Sequence, residues 1–106
     1  MAKKTIKKTE TIKESIPQPT KLDIITLSKE LGCNSESLYD IQAWIRNKYN
    51  IHAEIFYSLF HKKWAINNYF VDTIKGNRIT WDYKGVFYQE YDDALIVALY
   101  NVIKSL

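Results

Sequence analysis

Residues 91–106 read YDDALIVALYNVIKSL, and the rest of the chain must pack around this stretch. Its apolar residues recur at the spacing of a helix that lies on a core, and they are Ala94, Leu95, Ala98, Leu99, Val102, Ile103 and Leu106. The opposite side is apolar as well, because it carries Ile96, Val97 and Tyr100. A helix that is apolar on more than one side is normally covered on more than one side.

This surplus apolar side predicts a homodimer that forms through the last helix. Burial of an aliphatic side chain is worth about 1.5–3 kcal/mol, so Ile96, Val97 and Tyr100 from each of two chains could form the core of a symmetric interface. The alternative is that a helix predicted at residues 22–32 covers the same side within one chain, which requires no partner.

The net charge of +3 lies entirely in an N-terminal arm. Residues 1–20 hold five lysines against two glutamates, whereas residues 21–106 hold ten basic and ten acidic side chains. The arm has no periodic apolar face, so we predict a disordered basic tail over residues 1–20 and a single domain over residues 21–106. If the arm contacts phosphates, the candidate residues are Lys3, Lys4, Lys7 and Lys8.

Two further helices precede a β-rich region. Apolar residues at helical spacing predict the first helix at residues 22–32, and Gly32 is suited to end it. A second helix should begin after a cap at Asn34 or Ser35, with Glu36 in its first turn, and should end at Asn50.

From Ile51 the apolar period changes from 3.6 to 2, which predicts strands. The first strand, 51–59, buries Ile51, Ala53, Ile55, Tyr57 and Leu59. The second, 64–74, buries Ile66, Phe70 and Ile74, with a possible bulge at Asn67-Asn68. The third covers 79–83, is interrupted at Lys84-Gly85 and resumes at 86–88, before Asp92 caps the last helix. The predicted fold is therefore a two-layer α+β domain of order α-α-β-β-β-α, with a three-stranded antiparallel meander and helices on one face.

The sequence predicts a cytoplasmic protein without enzymatic activity. Its apolar runs are far shorter than a membrane span, no apolar segment of a secretory signal follows the basic N-terminus, and the single Cys33 cannot form an internal disulfide. His52 and Glu54 share a strand face, but no nucleophile or second pair of metal ligands accompanies them. We expect no metal and no cofactor.

Three aromatic residues are difficult to place on a single buried sheet face, namely Phe56, Phe60 and Tyr69. They predict a partner-binding patch on the outer face of the sheet.

The alternative function is weak nucleic-acid binding. The segment 27–41 resembles a helix-turn-helix, which would make residues 34–39 the start of a recognition helix; however, Glu36 and Asp40 would face the phosphates. The order of elements is also similar to that of double-stranded-RNA-binding domains, although Asp92 and Asp93 stand where that family has lysines.

A broader resemblance covers residues 27–106. It rests on short motifs, which are Trp44-Ile45-Arg46, Asn50-Ile51-His52, Trp64, Tyr91-Asp92-Asp93-Ala94-Leu95, Ala98-Leu99 and the helix end Lys29-Glu30-Leu31-Gly32. In these motifs the chain resembles small uncharacterised proteins encoded in phages and prophages of AT-rich bacteria. The resemblance implies no known activity. It suggests a small accessory protein that acts by self-association or by binding another protein.

Overall fold

The computed structural model describes residues 18–72, 74–81 and 83–106. In this part of the chain the helices are α1 at Lys21–Leu31, α2 at Leu38–Tyr49 and α3 at Tyr91–Ser105. The strands are β1 at Ile51–His52, β2 at Ile55–Ser58, β3 at Lys63–Ile66, β4 at Tyr69–Asp72 and β5 at Asn77–Thr80. The predicted fold is confirmed, because the helices pack on an antiparallel meander in the expected order.

Helix α1 begins and ends with well-defined caps. The Thr20 hydroxyl accepts a hydrogen bond from the Asp23 amide, and the Asp23 carboxylate accepts one from the Thr20 amide, which forms a capping box. Gly32 takes up the left-handed conformation at φ 108°, as predicted. Thr20, which the sequence assigned to the arm, thus belongs to the helix start. Residues 1–17 of the predicted arm lie outside the described residues.

Helix α2 begins later than the sequence suggested. The cap is Ser37, whose hydroxyl accepts from the Asp40 amide, so the prediction of Asn34 or Ser35 was wrong. The Ser35 hydroxyl instead accepts a hydrogen bond of 3.0 Å from the Ser37 amide, a local turn that precedes the cap. Asn50 ends the helix at φ 58°, as predicted.

Each of the first two predicted strands is divided in the middle. Ile51 lies opposite Phe70 and Ile55 lies opposite Ile66, so each of the two strands has the same number of residues, four, from one pair to the next across the break. The predicted bulge at Asn67-Asn68 is therefore absent, because a bulge would require an extra residue on one side. The Asn67 amide still donates to the Glu54 carbonyl at 2.8 Å, so the two chains stay in register.

The third strand of the meander also has two parts, as predicted. Strand β5 pairs with β4, and the Trp81 amide extends this ladder to the Asn68 carbonyl at 3.1 Å. After the loop at Lys84 and Gly85, Tyr88 pairs with Trp64 through two backbone hydrogen bonds of 2.8 Å. The middle strand of the meander, formed by β3 and β4, is thus paired on both sides.

Helix α3 lies over this meander. Six of its predicted core residues are buried, which are Ala94, Leu95, Ala98, Leu99, Val102 and Ile103. Leu106 is an exception at 47% exposed, because the helix ends at Ser105. The cap position is Glu90, without a side-chain hydrogen bond, so the prediction of Asp92 was also wrong. Asp92 lies in the first turn, where it accepts a hydrogen bond of 2.7 Å from the Tyr39 hydroxyl and links α3 to α2.

Buried amide side chains connect the helices to the sheet at the break. Asn68 is fully buried, and its Nδ2 donates to the Ala98 carbonyl of α3 and to the Tyr83 hydroxyl, both at 3.0 Å. On the neighbouring strand, between β1 and β2, the Ala53 carbonyl accepts a hydrogen bond from Gln42 of α2. Backbone groups near the break thereby gain partners from side chains, which a buried polar group requires.

We predict that Asn68→Ala destabilises the protein far more than Asn67→Ala. The first change removes two buried hydrogen bonds and leaves a cavity, and it should cost about 1–3 kcal/mol of unfolding free energy. The neighbouring Asn67 points to the other face and is only half-buried, so it serves as the matched control. Urea titration measures both values. Equal midpoints would contradict a structural role for the Asn68 amide.

The buried tyrosines also predict a loss of stability at alkaline pH. Burial raises the pKa of the Tyr83 hydroxyl above its usual value of 10.0, against the opposing effect of hydrogen bonds with Asn68 and Asn101, and burial likewise raises the pKa of Tyr88. The unfolded chain ionises first, so stability is complete below about pH 10 and falls as the pH rises further. Tyr83→Phe should reduce this fall in the urea midpoint, whereas Tyr57→Phe, at an exposed position, should not. A decline of the same size in Tyr83→Phe would refute this explanation.

Candidate partner-binding surface

Strand alternation divides the sheet into an inner and an outer face. Ile51, Ala53, Ile66 and Asn68 are buried on the inner face beneath the helices. Their neighbours along the strands therefore point outwards. The outer face thus contains two of the predicted partner residues, Phe56 and Tyr69, whereas Phe60 lies beyond the end of strand β2.

Tyr69 is already in contact with other residues of its own chain. The His52 ring stacks on it with centroids 4.7 Å apart and planes 4° from parallel. The Arg78 guanidinium lies 3.8 Å from the Tyr69 ring centroid. His52 also approaches Glu54, with Nδ1 and Oε2 3.8 Å apart, as the shared strand face suggested. Tyr69 is half-buried as a result, and these stacks reduce the ring surface that it can offer to a partner.

The turn between β2 and β3 holds two adjacent and strongly exposed apolar residues. Leu59 is 82% exposed and Phe60 89% exposed, and Phe56 follows at 50%. We call Phe56, Leu59 and Phe60 the hairpin patch. After His61 the chain continues with Lys62 and Lys63, which are both exposed, so two cations lie close to the patch along the chain.

Leu59 was predicted to be buried, and this prediction was wrong because strand β2 ends earlier than expected. The Ser58 carbonyl accepts a hydrogen bond of 2.7 Å from the Lys62 amide, and the Ser58 hydroxyl accepts one of 3.3 Å from the His61 amide. The turn therefore begins at Ser58 and carries Leu59 out of the strand.

The turn between β4 and β5 also begins at a residue whose side chain binds the backbone amides ahead of it. There, Oδ1 of Asp72 accepts hydrogen bonds of 3.0 Å from the amides of Ile74 and Lys75. Ile74, which was also predicted to be buried, is consequently 95% exposed. A serine or aspartate that can bind the backbone ahead of it is the sequence signal that would have identified both turns.

An aromatic stack holds the hairpin patch against the second part of the third strand, near Phe87. The His61 ring stacks on Phe87 with centroids 4.1 Å apart, and the Phe60 ring meets His61 edge-on at 4.9 Å. The position of the turn is thus fixed by its polar and aromatic contacts, while Leu59 and Phe60 remain mostly in solvent.

The predicted dimer residues of α3 are partly covered within the chain. Helix α1 packs against α3, and Ile96, Val97 and Tyr100 are half-buried against the core. This contact supports the alternative that the first helix covers the surplus apolar side. The dimer through α3 stays a prediction.

Two grooves remain beside these residues. The larger, about 610 Å³, runs between α1 and the end of α3, where Tyr100 and Lys104 contribute to its wall. The smaller, about 340 Å³, is lined by Gln18, Pro19, Tyr88, Asp93, Ile96 and Val97. We call the smaller one the acidic groove, because Asp93 is its charged residue and the exposed Glu90 and Asp92 are close along the chain.

The helix-turn-helix-like segment has an acidic environment. Glu36 pairs with Lys29 at 3.6 Å, and the start of α2 carries Asp40 and contacts Asp92 through Tyr39. These carboxylates would repel a phosphate backbone, which argues against this segment as a recognition helix. The lysines of the alternative, Lys3, Lys4, Lys7 and Lys8, lie outside the described residues.

Residues 18–72, 74–81 and 83–106 contain no group of three or more histidine, cysteine, aspartate or glutamate side chains that could hold a metal ion. The same described residues include no helix long and apolar enough to cross a bilayer. No protein-family model, no curated protein and no solved structure matches the chain.

Proposed function

We propose that this protein acts by binding another protein through the hairpin patch. The observation that carries the proposal is the exposure of two adjacent large apolar residues, Leu59 at 82% and Phe60 at 89%, with Phe56 on the same hairpin. Contiguous exposed apolar residues are uncommon on a monomer and typically mark a contact site. A small accessory protein of the phage type, without catalytic activity, fits this role.

The chemistry of the patch favours a protein over a nucleic acid. Protein interfaces combine an aromatic and apolar centre with a polar rim, and the patch has this arrangement, with Lys62 and Lys63 beside it. A stacking site for bases would need open ring faces next to cations. On the patch, Leu59 has no ring and the Phe60 ring meets His61 edge-on at 4.9 Å. Elsewhere on the outer face, the Tyr69 ring is already stacked with His52 and Arg78.

The charges beside the patch specify the partner further. A symmetric contact of two patches would bring Lys62 and Lys63 of one copy close to the same lysines of the other, which is unfavourable. The complementary surface is an apolar depression bordered by carboxylates.

Affinity capture tests the proposal with three baits, which are the wild-type chain, Leu59→Ser/Phe60→Ser and Ile74→Ser. Ile74 is the matched control, because it is equally apolar and 95% exposed at the other hairpin turn. From cells that express the protein naturally, the wild type and Ile74→Ser should retain the same proteins and the double variant should lose them. The loss corresponds to at least about 2 kcal/mol for a central interface residue. Identical captures by all three baits would exclude the patch as the binding site.

A further inference from the structure

We propose that the hairpin patch of one copy binds the acidic groove of a second copy. This inference rests on the proposed function and names the partner. It joins two surfaces on the described residues: an exposed apolar turn beside two lysines, and an apolar groove beside carboxylates. The contact is heterologous, because each copy contributes a different surface.

The acidic groove offers apolar surface to an inserted side chain. Its volume is about 340 Å³. Tyr88, Ile96 and Val97 of the groove are half-buried, so each retains apolar surface that an inserted side chain would cover.

The charges select this groove over the larger one. Lys62 and Lys63 beside the patch would approach Asp93, the carboxylate in the lining of the groove. The larger groove is lined by both Asp23 and Lys104, so the attraction of its carboxylate for the two lysines is offset by its own cation, whereas the described residues that line the smaller groove include Asp93 and no cation. Like charges at the rim of an interface disfavour a partner, and opposite charges speed its approach.

The hairpin patch and the acidic groove of a single chain do not cover each other. Phe60 is 89% exposed, so it does not occupy the groove of its own chain. Each contact between two copies leaves one unused patch and one unused groove, unless the assembly closes into a ring. The protein should therefore associate with rising concentration, and added salt should weaken the association.

Sedimentation equilibrium of the full chain provides the first test. Leu59→Ser/Phe60→Ser should weaken self-association by at least about 30-fold, the effect of losing a central interface residue. Ile74→Ser should leave it within about threefold of the wild type, because exposed positions outside an interface change little. Asp93→Lys should also weaken it, since the side chain is exposed and the change reverses the charge beside the groove.

Mixing two defective variants provides the decisive test. Leu59→Ser/Phe60→Ser keeps the groove, and Ile96→Lys keeps the patch while placing a charge in the groove. Each alone should be monomeric, and the two together should form a one-to-one complex. If Ile96→Lys fails to fold, as circular dichroism would show, Asp93→Lys replaces it. Lys62→Glu/Lys63→Glu should then bind the Asp93→Lys chain more tightly than the wild-type chain does.

Three results would overturn the inference. A wild-type chain that stays monomeric at millimolar concentration excludes self-association, whereas patch-dependent capture of another protein would leave the proposed function intact. A mixture that stays monomeric while the wild type associates would show a symmetric contact. If the chain without residues 1–17 stayed folded but lost self-association, the arm and not the hairpin patch would form the contact.

Discussion

The buried amide of Asn68 is the contact on which the arrangement of helix and sheet depends. It lies on the inner face of the middle chain, at the break between β3 and β4, and it reaches the Ala98 carbonyl of α3. A helix carbonyl can come this close to a sheet only where the facing side chains are small. The alanines at positions 53, 94 and 98 are all fully buried and provide this space. A polar contact and a set of small residues therefore determine together how closely α3 approaches the sheet.

The same contact explains why the meander is divided without an inserted residue. The two strands keep their register across the break, where Gln42 of α2 donates to the Ala53 carbonyl and Asn68 of the sheet donates to the Ala98 carbonyl of α3. Asn50 does the same at the far end of the sheet, where its side chain donates to the Val71 carbonyl. Amide side chains suit this role because a single group can donate to a backbone carbonyl without carrying a charge into the core.

Much of the fold could be predicted from the sequence, because apolar periodicity reports burial directly. The core face of α3, the helix end at Gly32 and the resumption of the third chain near Tyr88 are examples. The predictions were wrong where a short polar side chain binds the backbone and determines its local conformation. Ser58 and Asp72 end their strands early, and this places Leu59 and Ile74 in solvent although both continue an alternating pattern. Periodicity cannot show which residue of a strand begins the turn.

The candidate site was predicted in part for the same reason. Phe56 and Phe60 are exposed, as expected of a contact patch, but Leu59 was assigned to the core and Tyr69 is occupied by its own neighbours. Asp93 and Tyr88 gave no signal in the sequence, because the groove that they line forms only when the start of α3 and the third chain come together.

The turn that carries the hairpin patch is fixed by Ser58, His61 and Phe87, whereas Leu59 and Phe60 contribute little to holding it. Selection for folding and selection for binding therefore act on different residues. A lineage could replace the two exposed side chains and acquire a new partner while its thermal stability stayed nearly constant. Among related sequences, we would expect the serine of this turn to persist while the two apolar positions diverge.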